Sequence, residues 1–113
     1  MAKKKESTRY FLSVMGIPFE VQLKDKVIVD GEKEECAGVT YGAYRRIEIS
    51  REECKTEELM NSTLIHEYCH AVLYVTGQSE TLSEEQEEGI VVAMEHAFSQ
   101  QFTLTLEEME EDE

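Results

Sequence analysis

The sequence predicts an α+β domain, a small antiparallel or mixed sheet packed on two helices. Three observations carry this expectation. Short segments of period-two alternation fill the first half of the chain. The second half changes to apolar residues at helical spacing. At 113 residues and 41% hydrophobic content, the chain can build one compact core but not two.

The elements follow in order. Residues 1–8, with Lys3, Lys4 and Lys5, read as a disordered basic lead. Tyr10 to Val14 is a strand-like run, and Gly16-Ile17-Pro18 marks a turn. Phe19 to Leu23 alternates apolar and polar, so the two segments are expected to form a hairpin. Val27 to Val29 is a short apolar run, residues 30–38 are loop, and Val39 to Tyr44 is broken by glycine. Arg46 to Ser50 alternates again. Ser50 with Glu53 fits a capping box, and Thr56 is placed to cap a helix. That helix carries Leu59, Leu64, Ile65, Tyr68, Cys69, Val72, Leu73 and Val75, with Gly77 to close it. Ser83 with Gln86 opens a second helix, whose apolar face reads as Ile90, Met94, Ala97 and Phe98. The domain thus spans 9–104, and 105–113 reads as an acidic, frayed tail.

Charge narrows the function classes. Acidic residues outnumber basic ones by 25 to 11, for a net charge of −14. Of this, −12 lies between Glu80 and Glu113, where there is no Lys or Arg. Such a chain repels phosphate backbones, so no nucleic-acid partner is expected. No apolar stretch approaches a membrane span, and none follows the N-terminal lysines as in a secretory signal. Cys36, Cys54 and Cys69 form no C-x-x-C pair, which fits free thiols and a cytoplasmic location.

One motif carries chemistry. His66-Glu67-Tyr68-Cys69-His70 is H-E-x-x-H inside the strongest predicted helix. Residues i and i+4 share one helical face, so both imidazoles can turn to one Zn²⁺. Glu67 stands beside a ligand without having to bind, and can take a proton from water activated there. A third protein ligand is required. The second helix offers Glu84, Glu85, Glu87, Glu88 and Glu95, and helical projection alone slightly prefers Glu87. His96 is the remaining histidine. Tyr41 and Tyr44 are surface-loop tyrosines that could help an oxyanion only if turned to a cleft. Cys69 is expected to point into the core.

Thr63 to Ala71 resembles the T-x-x-H-E-x-x-H-A core of zincin metallopeptidases, closest to the gluzincin type. More narrowly it resembles the minimal zincin-like proteins of phages and mobile elements, relatives of the ImmA/IrrE-type peptidases. Glu88, Val91, Met94, His96, Ala97 and Phe98 are similar to the second-helix pattern of that group. The resemblance implies a minimal zincin-like domain and Zn²⁺ on His66, His70 and Glu88, with Glu87 as the alternative third ligand. It implies Glu67 as general base and a peptide or protein substrate. His96 would stabilise an oxyanion or orient a ligand. Arg46, Ile47, Glu48 and Ile49 would form the edge strand along which a substrate adds. The alternative is a non-catalytic binding protein on the same scaffold, holding a basic or regulatory partner. A third possibility is zinc as a structural staple.

Overall fold

A computed structural model describes residues 9–108, so the basic lead and the last five tail residues lie outside the described part. The strands are β1 (Arg9–Val14), β2 (Ile17–Lys24), β3 (Val27–Ile28), β4 (Glu35–Cys36), β5 (Gly38–Tyr41), β6 (Arg46–Ser50) and β7 (Glu107–Glu108). The helices are α1 (Glu57–Val75) and α2 (Glu84–Ser99). Five strands form one mixed sheet in the order β5-β6-β2-β1-β7, and β3 pairs with β4 in a separate ribbon. The α+β expectation therefore holds.

The expected hairpin is present, with Leu12 opposite Phe19 and Tyr10 opposite Val21. Its turn comes one residue early. Met15 and Gly16 both have positive φ, and Ile17 and Pro18 already belong to β2. Two successive residues at positive φ suit the twist of a tight hairpin, which a turn built on Pro18 would not.

Alternation decides the core. Leu12, Val14, Phe19, Val21, Ile47 and Ile49 point to one face of the sheet and are buried with Leu64 and Ala71 of α1. Each large side chain buried there stabilises the fold by about 1.5–3 kcal/mol. The opposite face carries a polar ladder. Arg9 Nε donates to Glu20 at 2.7 Å, Gln22 donates to Glu20 at 2.8 Å, and Lys24 Nζ lies 3.3 Å from Glu48.

Strand β6 is parallel to β2 on one side and antiparallel to β5 on the other. Arg46–Ile49 therefore has no free edge, which corrects the expectation that a substrate adds there. The free edge on that side belongs to β5, the stretch whose glycines made it look irregular. The residues after Ser50 form a turn closed by Glu53 N–H onto Ser50 Oγ at 3.2 Å, and no helix starts there.

Helix α1 starts where expected: Thr56 Oγ1 accepts from Leu59 N–H at 3.1 Å. It ends at Gly77, whose φ of 82° lets the chain reverse. The Ser83–Gln86 capping box is formed in both directions, at 3.1 and 2.9 Å. The buried face of α2 differs from the expected one. Only Val91 is fully buried, while Ile90 and Phe98 are each about two-fifths exposed. The stripe turned to α1 is Glu87, Glu88, Val91 and Glu95. In this orientation the carboxylates of Glu87, Glu88 and Glu95 meet the histidines of α1, and Phe98 stays part-exposed.

The segment after α2 is tied down by Asn61. Its Nδ2 donates to the Phe102 carbonyl at 2.8 Å, and its Oδ1 accepts from Leu104 N–H at 2.9 Å. Glu107 and Glu108 then pair with Phe11 and Tyr10, so the start of the expected frayed tail is an edge strand. Cys69 is buried beside Ile65 and Val91. Burial, helped by the nearby Glu95 charge, pushes its thiol up to about 11, so it packs as a small neutral residue. Among the described residues no helix is long and apolar enough to cross a membrane.

Candidate metal centre

The site is built on the two helices. The turn between Val75 and Glu84 is short, so α2 returns antiparallel to α1. The pairing shows it: His70 meets Glu87, and His66, one turn earlier, meets Glu95 two turns later. His66 and His70 stack edge to face with centroids 5.1 Å apart. Their Nε2 atoms lie 3.3 and 3.1 Å from the two oxygens of Glu88. One ligand atom from each of His66, His70 and Glu88 falls within 4.8 Å of the others.

Each imidazole is held from behind. His66 Nδ1 lies 2.8 Å from Glu95 Oε1, and His70 Nδ1 lies 2.6 Å from Glu87 Oε2. A proton on Nδ1, donated to the carboxylate, leaves the Nε2 lone pair free for a metal. Ser62 Oγ donates to the other oxygen of Glu95. Burial pushes the Glu95 carboxyl up, but the bonds from Ser62 and His66 outweigh it and hold the group below its ordinary range.

Two imidazole nitrogens and a carboxylate oxygen are a donor set that zinc accepts. The two Nε2 atoms face different oxygens of Glu88, at 3.1 and 3.3 Å, so this one carboxylate spans both imidazoles. His66, His70 and Glu88 could therefore hold Zn²⁺. Glu87, the alternative third ligand, is instead engaged with Nδ1 of His70.

Glu67 lies beside this cluster and is buried between α1 and β5, at 5% exposure. Burial raises its carboxyl above the ordinary value, opposed by a hydrogen bond from Thr40 Oγ1 to Oε1 at 2.7 Å. An open cleft of about 520 Å³ runs past His70 and Glu88. Val39, Thr40 and Gly42 line it from β5 and the turn after it, with Tyr74 and Glu84 on the helical side.

The chain carries the sequence pattern of the SprT-like family across residues 15–87, more than half its length. It belongs to the SprT-like family. This is a zinc-metallopeptidase-like family, which agrees with the zincin resemblance at that level; the narrower ImmA/IrrE kinship is not what the match gives. The SprT-like match takes in His66, Glu67, His70 and Glu87. No curated protein and no solved structure matches the chain.

His96 does not join the site. It is exposed on α2, one residue past Glu95, and no hydrogen bond ties it to either ligand histidine. Neighbouring residues on a helix point about 100° apart, and with Glu95 turned to His66 the His96 side chain lies on the exposed side. Tyr41 and Tyr44 also turn away. Their rings flank the Arg46 guanidinium at 4.8 and 5.7 Å, on the sheet face opposite α1. Two residues were missed from the sequence: Thr40, hidden in the glycine-broken stretch, and Glu95, named only as one glutamate among several. The signals were there. Gly38, Thr40 and Gly42 alternate with strand period, and Glu88, Val91 and Glu95 share one helical stripe.

Proposed function

We propose that the chain is a zinc-dependent peptidase that hydrolyses peptide bonds of a protein substrate. One observation carries the reading: two imidazoles, each oriented by its own carboxylate, face Glu88 beside a cleft, and Glu67 follows His66 directly on the same helix. Zinc at such a centre polarises a carbonyl and lowers the pKa of water. His66, His70 and Glu88 would bind it, and Glu95 and Glu87 would keep the two imidazoles in register. Thr40 occupies Oε1 of Glu67, which leaves Oε2 to take the proton of the attacking water and pass it to the leaving amine. The free edge of β5 runs beside the cleft and offers backbone groups to an extended peptide.

Glu67→Gln tests this. The variant should bind about one zinc per chain, as wild type does, and cut no peptide of a proteome-derived library read by mass spectrometry. Equal cutting by both forms would sink the mechanism. A second reading has one feature in its favour. Glu84, Glu87 and Glu88 line the cleft, and no Lys or Arg is among the described residues that line it, which suits a basic partner held without cleavage. A partner retained equally by wild type and Glu67→Gln, with no cleavage product, would favour it.

A further inference from the structure

Strand β5 and the turn that follows it lie against α1 with no room for a side chain at two positions. Gly38, Thr40 and Gly42 lie on the face turned to the helix. A Cβ at Gly38 would sit 3.1 Å from Glu67 Cγ, and one at Gly42 would sit 2.4 Å from the Tyr74 ring. Two glycines thus press the backbone against the helix, and Thr40 is the side chain between them. Its Oγ1 lies 2.7 Å from Glu67 Oε1 and 3.0 Å from the Glu67 carbonyl oxygen.

We propose that Thr40 is the positioning residue for Glu67, fixing its carboxylate from the edge strand while the helix fixes only its backbone. This rests on the reading of Glu67 as general base. A buried glutamate has three side-chain torsions, and a hydrogen bond at one oxygen removes the freedom of the last of them. The hydroxyl has one proton and two acceptors within reach, both on residue 67, and the carboxylate oxygen, at 2.7 against 3.0 Å, is the nearer and the more strongly accepting. The absence of a side chain at Gly38 is what leaves the Glu67 Cγ its place against the strand. Oε1 is therefore pinned, and Oε2 is the oxygen left to act.

The test uses the full chain with zinc and the peptide that wild type cuts. Thr40→Val keeps the shape and removes the hydroxyl. It should lower kcat about ten- to a hundredfold with KM and zinc content unchanged. Thr40→Ser should restore most of that loss. An unchanged kcat in Thr40→Val would overturn the proposal. A second measurement is independent of catalysis. In metal-free protein, Thr40→Val should lower the urea midpoint of wild type and leave the midpoint of Glu67→Met nearly unmoved. Equal shifts in the two backgrounds would overturn the proposal even if no peptide is ever cut. Cleavage that survives Glu67→Gln, with the unequal shifts intact, would instead refute the peptidase reading alone.

Discussion

Both nitrogens of each ligand imidazole are committed: Nδ1 to a carboxylate, Nε2 to the face shared with Glu88. Carboxylates at Nδ1 fix ring orientation and raise ligand basicity, and their loss costs about 10–100-fold in metal affinity. Glu87→Gln and Glu95→Gln should each weaken zinc binding by that factor, measured by competition with a chelating dye. Unchanged affinity would mean that the helices alone orient the rings. On the far face of the sheet, the Arg9 hydrogen bond holds the Glu20 carboxyl below its ordinary range, against a smaller opposing effect of burial. Its unfolded counterpart takes up a proton near 4.5, before the folded one does. The ion pair therefore adds stability above that pH and loses it as pH falls through the lowered folded value. Because the pair is exposed, Glu20→Gln should cost less than about 1 kcal/mol at pH 7. The difference in urea midpoint should vanish in strong acid.

At the scale of elements, each helix is legible because its signals are local. Thr56, Gly77 and the Ser83–Gln86 box lie at or next to the ends they mark, and H-E-x-x-H needs only one helix to bring its histidines together. The hairpin is legible for the same reason. What the sequence hides depends on neighbours. Nothing in Arg46–Ser50 says that β5 will cover its second edge. The rotation of α2 is hidden too, because an apolar-face projection assumes that burial of Phe98 outweighs pairing of Glu87 and Glu95 with histidines. The third ligand stays ambiguous from geometry alone because Glu87 and Glu88 are adjacent, and only the placement of α1 separates Nδ1 from Nε2 contacts. The contact between β5 and α1 is also testable. A methyl at Gly38 meets Glu67 Cγ, Ile49 Cδ1 and Thr63 Cγ2, each at 3.1 Å. Gly38→Ala should destabilise the fold by about 1–3 kcal/mol, as overpacking does, read as a lower urea midpoint. No change would mean that the strand moves away freely.

For the whole molecule, the candidate metal face and the hydrophobic core are separate. The main core lies between the sheet and α1 and draws on neither His66 nor His70. Removing zinc should therefore lower the melting temperature and leave the secondary structure intact by circular dichroism. Zinc at about 100 times its Kd should return about 2.7 kcal/mol by mass action. Unfolding on chelation would assign the ion a structural role instead.

The five side chains around the metal face, His66, His70, Glu87, Glu88 and Glu95, all come from one helical hairpin, whereas the hydroxyl that grips Glu67 comes from 27 residues upstream. The two capacities can therefore be lost and gained apart. Substitutions confined to 38–42 spare all five of these side chains, so under the proposed function a form that binds metal without cutting would lie only a step or two from one that cuts. On that reading, enzyme and binding scaffold would be neighbours in sequence space, separated by one short strand.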